Sequence, residues 1–243
     1  MRTLIVADIH SNLEALEAVL VDAQQRGSFQ EVWCLGDVVG YGPDPGACID
    51  LIRQYPLSCV AGNHDWAAVG KVSIEDFNPY AALACRWTAT QLSREQADFL
   101  AGLPSTLGKG DFTLVHGSLR DPIWEYLVSA EPALATFGLM ETRFCLVGHS
   151  HIPFLCQEGG GACTFVQFPE GLDVTLGQER WIINPGAVGQ PRDGDRRPSY
   201  PSPRAERWPA RIAAPSWRRC ARAAPRRAPR TSSVGTDGRS TDG

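Results

Sequence analysis

Three apolar runs in the first sixty residues each end on polar side chains, and the stretches between them carry apolar residues at helical spacing. Residues 2–8 read as a buried strand closing on Asp8, residues 32–35 run into Gly36-Asp37, and residues 57–60 run into Gly62-Asn63-His64-Asp65. Between the first two, Ser11-Asn12-Leu13-Glu14 has the form of a capping box with Ser11 as N-cap. Leu13, Leu16, Val19, Leu20 and Ala23 then share one helical face, and Gly27 ends the helix. Between the second and third, Asp44-Pro45 supplies an N-cap and a proline at the first helical position, with Cys48, Ile49 and Ile52 turned inward. Strands separated by helices pair in parallel, so this order predicts a largely parallel sheet with a site along its carboxyl edge.

Further on, Asn78-Pro79 predicts a helix that buries Tyr80, Leu83, Ala84 and Trp87, and Ser93-Arg94-Glu95-Gln96 caps the next, with Ala97 and Leu100 inward. Residues 112–115 form a strand ending at His116, and residues 144–147 one ending at Gly148-His149-Ser150-His151. Short β-rich runs follow at 153–156, 163–168, 174–176 and 181–183, so the second half is expected to be mostly antiparallel. The glycines Gly42 and Gly46 lack the spacing and the following Lys-Ser/Thr of a phosphate-binding loop and read as turn residues.

Periodicity stops near Tyr200. Residues 1–191 hold 10 Arg/Lys and 22 Asp/Glu, whereas residues 192–243 hold 13 and 5. The acidic body is no footprint for nucleic acid, and only the basic end could be one. Residues 201–243, rich in Arg, Pro and Ala, cannot bury enough apolar surface to offset their ordering entropy and are expected to be disordered. GC-rich coding read out of frame has this composition, which is the preferred reading of the tail. The domain is expected to span 1–200. Eight scattered cysteines without a C-x-x-C pair, no signal peptide and no run long enough for a bilayer point to the cytoplasm.

All five histidines (His10, His64, His116, His149, His151) lie just past strand-like runs. Asp8 and His10, like His149 and His151, are two residues apart and in extended backbone project to one side. Asp8, Asp37, Asn63 and four imidazoles at one sheet edge would bury charge at high cost without a cation. Mixed nitrogen and oxygen donors suit Mn, Fe, Zn or Co better than calcium. His64 can move a proton near neutral pH, and Asp65 can accept from its other ring nitrogen.

Asp8-x-His10, Gly36-Asp37, Gly62-Asn63-His64-Asp65, His116-Gly117 and Gly148-His149-Ser150-His151 resemble the ordered motifs of the calcineurin-like metallophosphoesterase superfamily. The match runs from Asp8 to His151, and to about Asp193 through Asn184-Pro185-Gly186 and the residues after it. Each piece is common, but five in order are specific. The resemblance implies an α/β fold, a four-layer α-β-β-α sandwich. It also implies two divalent metal ions, Mn first, with Fe, Zn, Co, Ni or Mg compatible. By position, Asp8, His10 and His151 would hold one ion, Asn63, His116 and His149 the other, and Asp37 would bridge. A metal-bridging hydroxide would attack phosphorus in line, and His64, oriented by Asp65, would stabilise the transition state or protonate the leaving oxygen.

The stretch from Gly36 to Pro45 resembles bacterial and archaeal phosphodiesterases. It lacks the arginine that protein phosphatases carry after the second-motif aspartate, so a small-molecule or nucleotide diester is the expected substrate. A phosphomonoesterase and a dinucleotide polyphosphate hydrolase are the alternatives within the class. A non-catalytic metal-binding scaffold, or a nucleic-acid binder acting through the tail, is the alternative outside it. Arg120 and Arg192 are candidate phosphate contacts, and Asn12 a candidate neighbour of the substrate. Phe77, Tyr80, Trp124 and Tyr126 fall in connecting segments, where packing explains them and stacking on a base is the functional alternative. The loops at 66–79 and 119–130 are expected to set specificity.

Overall fold

In the computed structural model, residues 2–166 and 177–200 are described, together with the backbone of 204–205, 212–213 and 218–219. The first part runs β1 (Thr3–Val6), α1 (Leu13–Gln25), β2 (Glu31–Cys34), α2 (Pro45–Ile52) and β3 (Leu57–Cys59). These strands form a parallel sheet in the order β1-β2-β3, as the strand–helix alternation requires. Three helices follow, α3 (Asn63–Ala68), α4 (Pro79–Gln91) and α5 (Arg94–Gly102). The rest comprises β4 (Thr106–Lys109), β5 (Phe112–Val115), α6 (Ala130–Leu139), β6 (Phe144–Leu146), β7 (Phe154–Gly159), β8 (Ala162–Val166) and β9 (Trp181–Asn184). They make a second sheet ordered β4-β5-β6-β9-β7-β8.

That sheet is mixed: three of its five pairings are antiparallel, as expected, and the two at its centre are parallel. β5, β6 and β9 run parallel at its centre, and β4, β7 and β8 are antiparallel additions. The reason is α6, which the sequence reading missed: it lies between β5 and β6 and provides the crossover that parallel pairing needs. The hairpin strand β4, with Gly110 at φ +61° in its turn, also went unread.

The period of two along the strands builds the layers. Leu4 and Val6 of β1, with Val32 and Cys34 of β2, face α1, α2 and α5. Their neighbours Ile5, Ala7, Trp33 and Leu35 face the other sheet and meet Leu114, Phe144, Leu146, Leu155, Trp181 and Ile183. On that sheet's outer side, Val115, Cys145, Val147, Phe154, Cys156 and Ile182 pack on Ala133, Phe137 and Met140 of α6 and its end. The result is helix, sheet, sheet, helix, with apolar surface removed from water at three levels.

Two helix readings are corrected. α1 is capped by Asn12, whose Oδ1 accepts from Ala15 N at 3.1 Å, and not by Ser11. Ser11 is held in the preceding loop, its N–H on Val38 O and its carbonyl accepting from Asp44 N. α4 turns the opposite way from its apolar spacing: Ala81, Cys85 and Thr88 are buried, while Tyr80, Leu83 and Trp87 are exposed. Small inward residues let α4 pack closely on α3 and α2. The capping box of α5 at Ser93 and Gln96 forms as expected.

Tyr200, in β10 (Ser199–Tyr200), is fully buried and its hydroxyl donates to Asp22 of α1. Beyond it, β11 (Arg204–Ala205) pairs with β12 (Ile212–Ala213), and β13 (Arg218–Arg219) pairs with β10. The disordered tail expected for 201–243 otherwise lies outside the described residues, as does the strand expected at 174–176. Among the described residues no helix is long and apolar enough to cross a membrane, and the seven described cysteines are free thiols.

Candidate metal centre and its cleft

The parallel strands of both sheets deliver their carboxyl ends to one place. Asp8, Asp37 and Asn63 follow β1, β2 and β3; His116 follows β5, and His149 and His151 follow β6. They converge, though not by the extended geometry expected from the two-residue spacing. Asp8 (φ +53°), His10 (+48°), Asp37 (+54°), His149 (+63°) and His151 (+60°) are all left-handed, as are Ser11 and Tyr41 beside them. Such conformations cost roughly 1–3 kcal/mol each in non-glycine residues and persist only where the surroundings impose them. Here the loop after β1 is tied to the loop after β2, Asp8 N to Gly36 O (3.1 Å), His10 N to Asp37 O (2.9 Å) and Ser11 N to Val38 O (3.0 Å). Gly62 lets α3 close on Asp37, since a Cβ there would lie 2.0 Å from Asp37 Oδ1, and that oxygen accepts from His64 N at 2.9 Å.

Each of four imidazoles donates its outward N–H to a backbone carbonyl. His10 Nδ1 donates to Val39 O (3.1 Å), His116 Nδ1 to Leu35 O (2.8 Å), His149 Nε2 to Trp124 O (3.1 Å) and His151 Nδ1 to Gln190 O (2.6 Å). This fixes which nitrogen points inward. The inward nitrogens meet in pairs, His10 Nε2 with His151 Nε2 and His116 Nε2 with His149 Nδ1, each at 3.1 Å. Neutral rings so oriented set lone pair against lone pair, an arrangement that calls for a cation. The carboxylates lie among them. Asp8 Oδ1 is 3.3 Å from His151 Nε2, and Asp37 Oδ2 is 3.6 Å from His10 Nε2 and 3.4 Å from His116 Nε2. Asn63 Oδ1 is 3.2 Å from His116 Nε2, and Asp8 Oδ2 is buried without a hydrogen-bond partner.

The donors form two overlapping groups, Asp8, His10, Asp37 and His151, and Asp37, His116 and His149, all buried. Their electrostatics agree. Burial would raise Asp37, but His116, His64 and His10 hold it well below the carboxylate range. Burial would lower His116, but Asp37 and Asp8 outweigh it and push the ring up to about 9. Burial, then the charge on His116, pushes His149 down to about 3. A field that draws a proton onto one ring and refuses it on the next suits divalent cations shared among the set.

Other expected roles are redistributed. Asp65 does not hold His64. Its carboxylate accepts from the backbone N–H groups of Asp37 (2.8 Å), Gly62 (3.0 Å) and Val39 (3.1 Å) and so ties the second and third loops together. Burial, then Asp37, pushes its carboxyl up to about 7. Asn12 has both side-chain ends committed, Oδ1 to its helix and Nδ2 to Gly189 O (3.0 Å), and is a cap, not a substrate contact. Arg120 is paired with Glu125 and Glu131 and does not line the cleft. Arg192 does line it.

The centre forms the floor of a cleft of about 180 Å³. Its walls carry Tyr41, Phe77, Trp124 and Tyr126, drawn in part from the two loops expected to set specificity. Tyr126 stacks on His149 (centroids 3.9 Å, 21°), and Phe77 meets Trp124 edge-on at 5.3 Å. Tyr80 points to solvent instead. Sequence reasoning gave no place in the cleft to Tyr41, Asp76 and Asn78, although Tyr41 lies in the stretch from Gly36 to Pro45 and Asn78 reads as the start of α4. It also gave no role to Asn184, whose place in the Asn184-Pro185-Gly186 stretch was the available signal. Buried there, Asn184 donates to Gly148 O (2.7 Å) and Ser150 Oγ (3.0 Å) and accepts from Gly186 N (2.8 Å), which fixes the loop bearing His149 and His151.

Known proteins share this plan. The chain is 41% identical over 201 residues to an uncharacterized protein of Methanocaldococcus jannaschii, MJ0912, an alignment covering 81% of this chain and 79% of that protein. A metallophosphoesterase from Sphaerobacter thermophilus superposes with a TM-score of 0.78 at 43% identity, over 90% of this chain and 88% of that one. A Pyrococcus horikoshii protein, PH1004, shares the fold at 18% identity (TM-score 0.70, 90% and 87% covered). The calcineurin-like phosphoesterase superfamily domain matches residues 1–201, which hold every donor described above. With its two sheets feeding one Asp/His cluster, the chain belongs to that superfamily.

Proposed function

We propose that this chain hydrolyses phosphodiesters with two divalent metal ions, Mn first among them. One observation carries the reading: a single oxygen, Asp37 Oδ2, faces both donor sets, 3.6 Å from His10 Nε2 and 3.4 Å from His116 Nε2. Asp8, His10 and His151 would hold one ion, Asn63, His116 and His149 the other, and Asp37 both. When bound, such a pair activates water and stabilises charge on phosphoryl oxygens. His64 lines the cleft beside the donors and stabilises, through a hydrogen bond, the charge that develops on the leaving oxygen. Arg192, at the rim, contacts a non-bridging oxygen.

Preference for a diester is supported by the cleft's charge. Among the described residues lining the cleft Arg192 is the one guanidinium, Asp76 stands at the same rim, and Arg120 is held by two glutamates. A monoester dianion would gain less there than a diester monoanion. The aromatic walls favour an ester carrying a planar ring, as a nucleotide does. Free thiols at the seven described cysteines fit a cytoplasmic protein.

The test is turnover of bis(4-nitrophenyl) phosphate with added Mn, against 4-nitrophenyl phosphate and a dinucleoside polyphosphate. Chelator should abolish diester turnover, and His64→Ala should retain metal while slowing it by roughly a hundredfold or more. Faster monoester or polyphosphate cleavage would overturn the diester assignment. Two ions bound with no turnover of any substrate would make the chain a metal-binding scaffold.

A further inference from the structure

We propose that Cys85 is the positioning residue of His64: its thiol holds this cleft-lining ring with the proton on Nε2, the nitrogen not taken by the thiol. The inference deepens, and rests on, the role assigned to His64 above. Cys85 is buried on the inward face of α4, and its Sγ lies 3.3 Å from His64 Nδ1. The two carboxylates that could have taken this place are committed elsewhere. Asp65 accepts from three backbone N–H groups, and Asp37 Oδ1 accepts from the His64 backbone N–H. Nor can the loop after β2 supply a partner at this point. Gly40 lies there at φ +95°, and a Cβ on it would be 2.5 Å from His64 Nδ1. The ring is further boxed in by Tyr41 (4.6 Å between centroids), Phe77 (4.9 Å) and His10 (4.9 Å).

The chemistry of the partner decides the tautomer. A carboxylate at Nδ1 would draw the ring proton to that nitrogen. A neutral thiol has a proton to give and is a poor acceptor, so it favours an unprotonated Nδ1 and leaves the proton on Nε2. Burial, then the charges of Asp37 and Asp65, pushes the Cys85 thiol up to about 12, which keeps it a donor. His64 therefore meets the leaving oxygen as a neutral hydrogen-bond donor whose orientation comes from a different helix.

The decisive measurement is a long-range ¹H–¹⁵N correlation spectrum of the full chain loaded with zinc, with His64 assigned by comparison with His64→Gln. The expected pattern is protonated Nε2 and unprotonated Nδ1. Cys85→Ala should move it toward a mixture of tautomers, and Cys85→Ser should restore it. Kinetics with aryl phosphodiesters supply a second arm. Cys85→Ala should lower kcat roughly tenfold with little change in KM. The loss should grow as the leaving group becomes poorer, and adding Cys85→Ala to His64→Ala should slow the enzyme no further. A proton on Nδ1 in the unmutated chain, or an unchanged His64 pattern in a folded Cys85→Ala variant, overturns the proposal. The unmutated spectrum decides even if the variant fails to fold. A chain with no diester turnover would sink the proposed function and leave the spectrum to judge Cys85.

Discussion

Replacing Asn184 with alanine tests whether the loop that carries two of the inward imidazoles is held from outside the centre. Asn184 is fully buried and makes three hydrogen bonds, to Gly148 O, Ser150 Oγ and Gly186 N. Gly148 O keeps a second partner in Ser150 N, and Ser150 Oγ keeps Ile152 N. The Gly186 N–H is left as the main orphan. Two bonds lost with their partners still served cost about 0.5–1.5 kcal/mol each, and an orphaned buried donor about 1–3. The sum, roughly 2–4 kcal/mol allowing for partial relaxation, is a large fraction of a stability of about 5–15. At about 2–4 °C per kcal/mol for a domain of this size, the melting temperature should fall by roughly 4–16 °C in chelator. His149 and His151 also sit at φ +63° and +60° on this loop, so affinity for Mn should drop by roughly 10–100-fold, the usual effect of losing a buttress behind metal ligands. Thermal unfolding by circular dichroism with and without Mn, and metal titration by calorimetry, read the two effects separately. A variant that melts within about 2 °C of the parent and binds Mn equally well would refute the reasoning.

Three further outcomes are expected. Asp37→Asn should reduce bound metal from two ions per chain to fewer than one at saturating Mn, measured by elemental analysis, because its Oδ2 faces both donor sets. Tyr126→Ala removes a half-exposed ring stacked on His149; it should raise KM for a nucleotide diester about fivefold or more and spare a dialkyl diester, given the worth of base stacking. The third concerns acid stability. Arg120, and then Ser118 against the effect of burial, hold Glu125 below the usual carboxylate range. A depressed folded value stabilises above the ordinary glutamate value of about 4.3 and is lost as pH falls through the lower folded one. The urea-midpoint difference between parent and Arg120→Ala should therefore be full at pH 6 and shrink on the acid side.

What the chain alone determined is its order of elements and its inventory of donors. Caps, prolines and period-two runs are set by neighbours in sequence, so β1 to β3 and the capping box of α5 follow from local pattern, while the four layers were implied by the resemblance of the ordered motifs to a known family. The seven donor residues could be named because each lies just beyond an apolar run. Folding in three dimensions decided how those donors are used. The left-handed turns at Asp8, His10, His149 and His151 exist because loops from different strands hydrogen-bond across one another. Which nitrogen of His116 faces inward is set by Leu35 O, 81 residues away in the chain. Asp65, Asn12 and Arg120 carry chemistry that suits a site, yet backbone N–H groups and glutamates brought near by packing have claimed them. Cys85 reached His64 by the reverse route: helical spacing put Tyr80 and Leu83 inward, and close packing of α4 turned the small residues in instead. Side-chain partners of this kind are chosen only when distant surfaces meet, because no local pattern encodes a hydrogen bond between residues far apart in the chain.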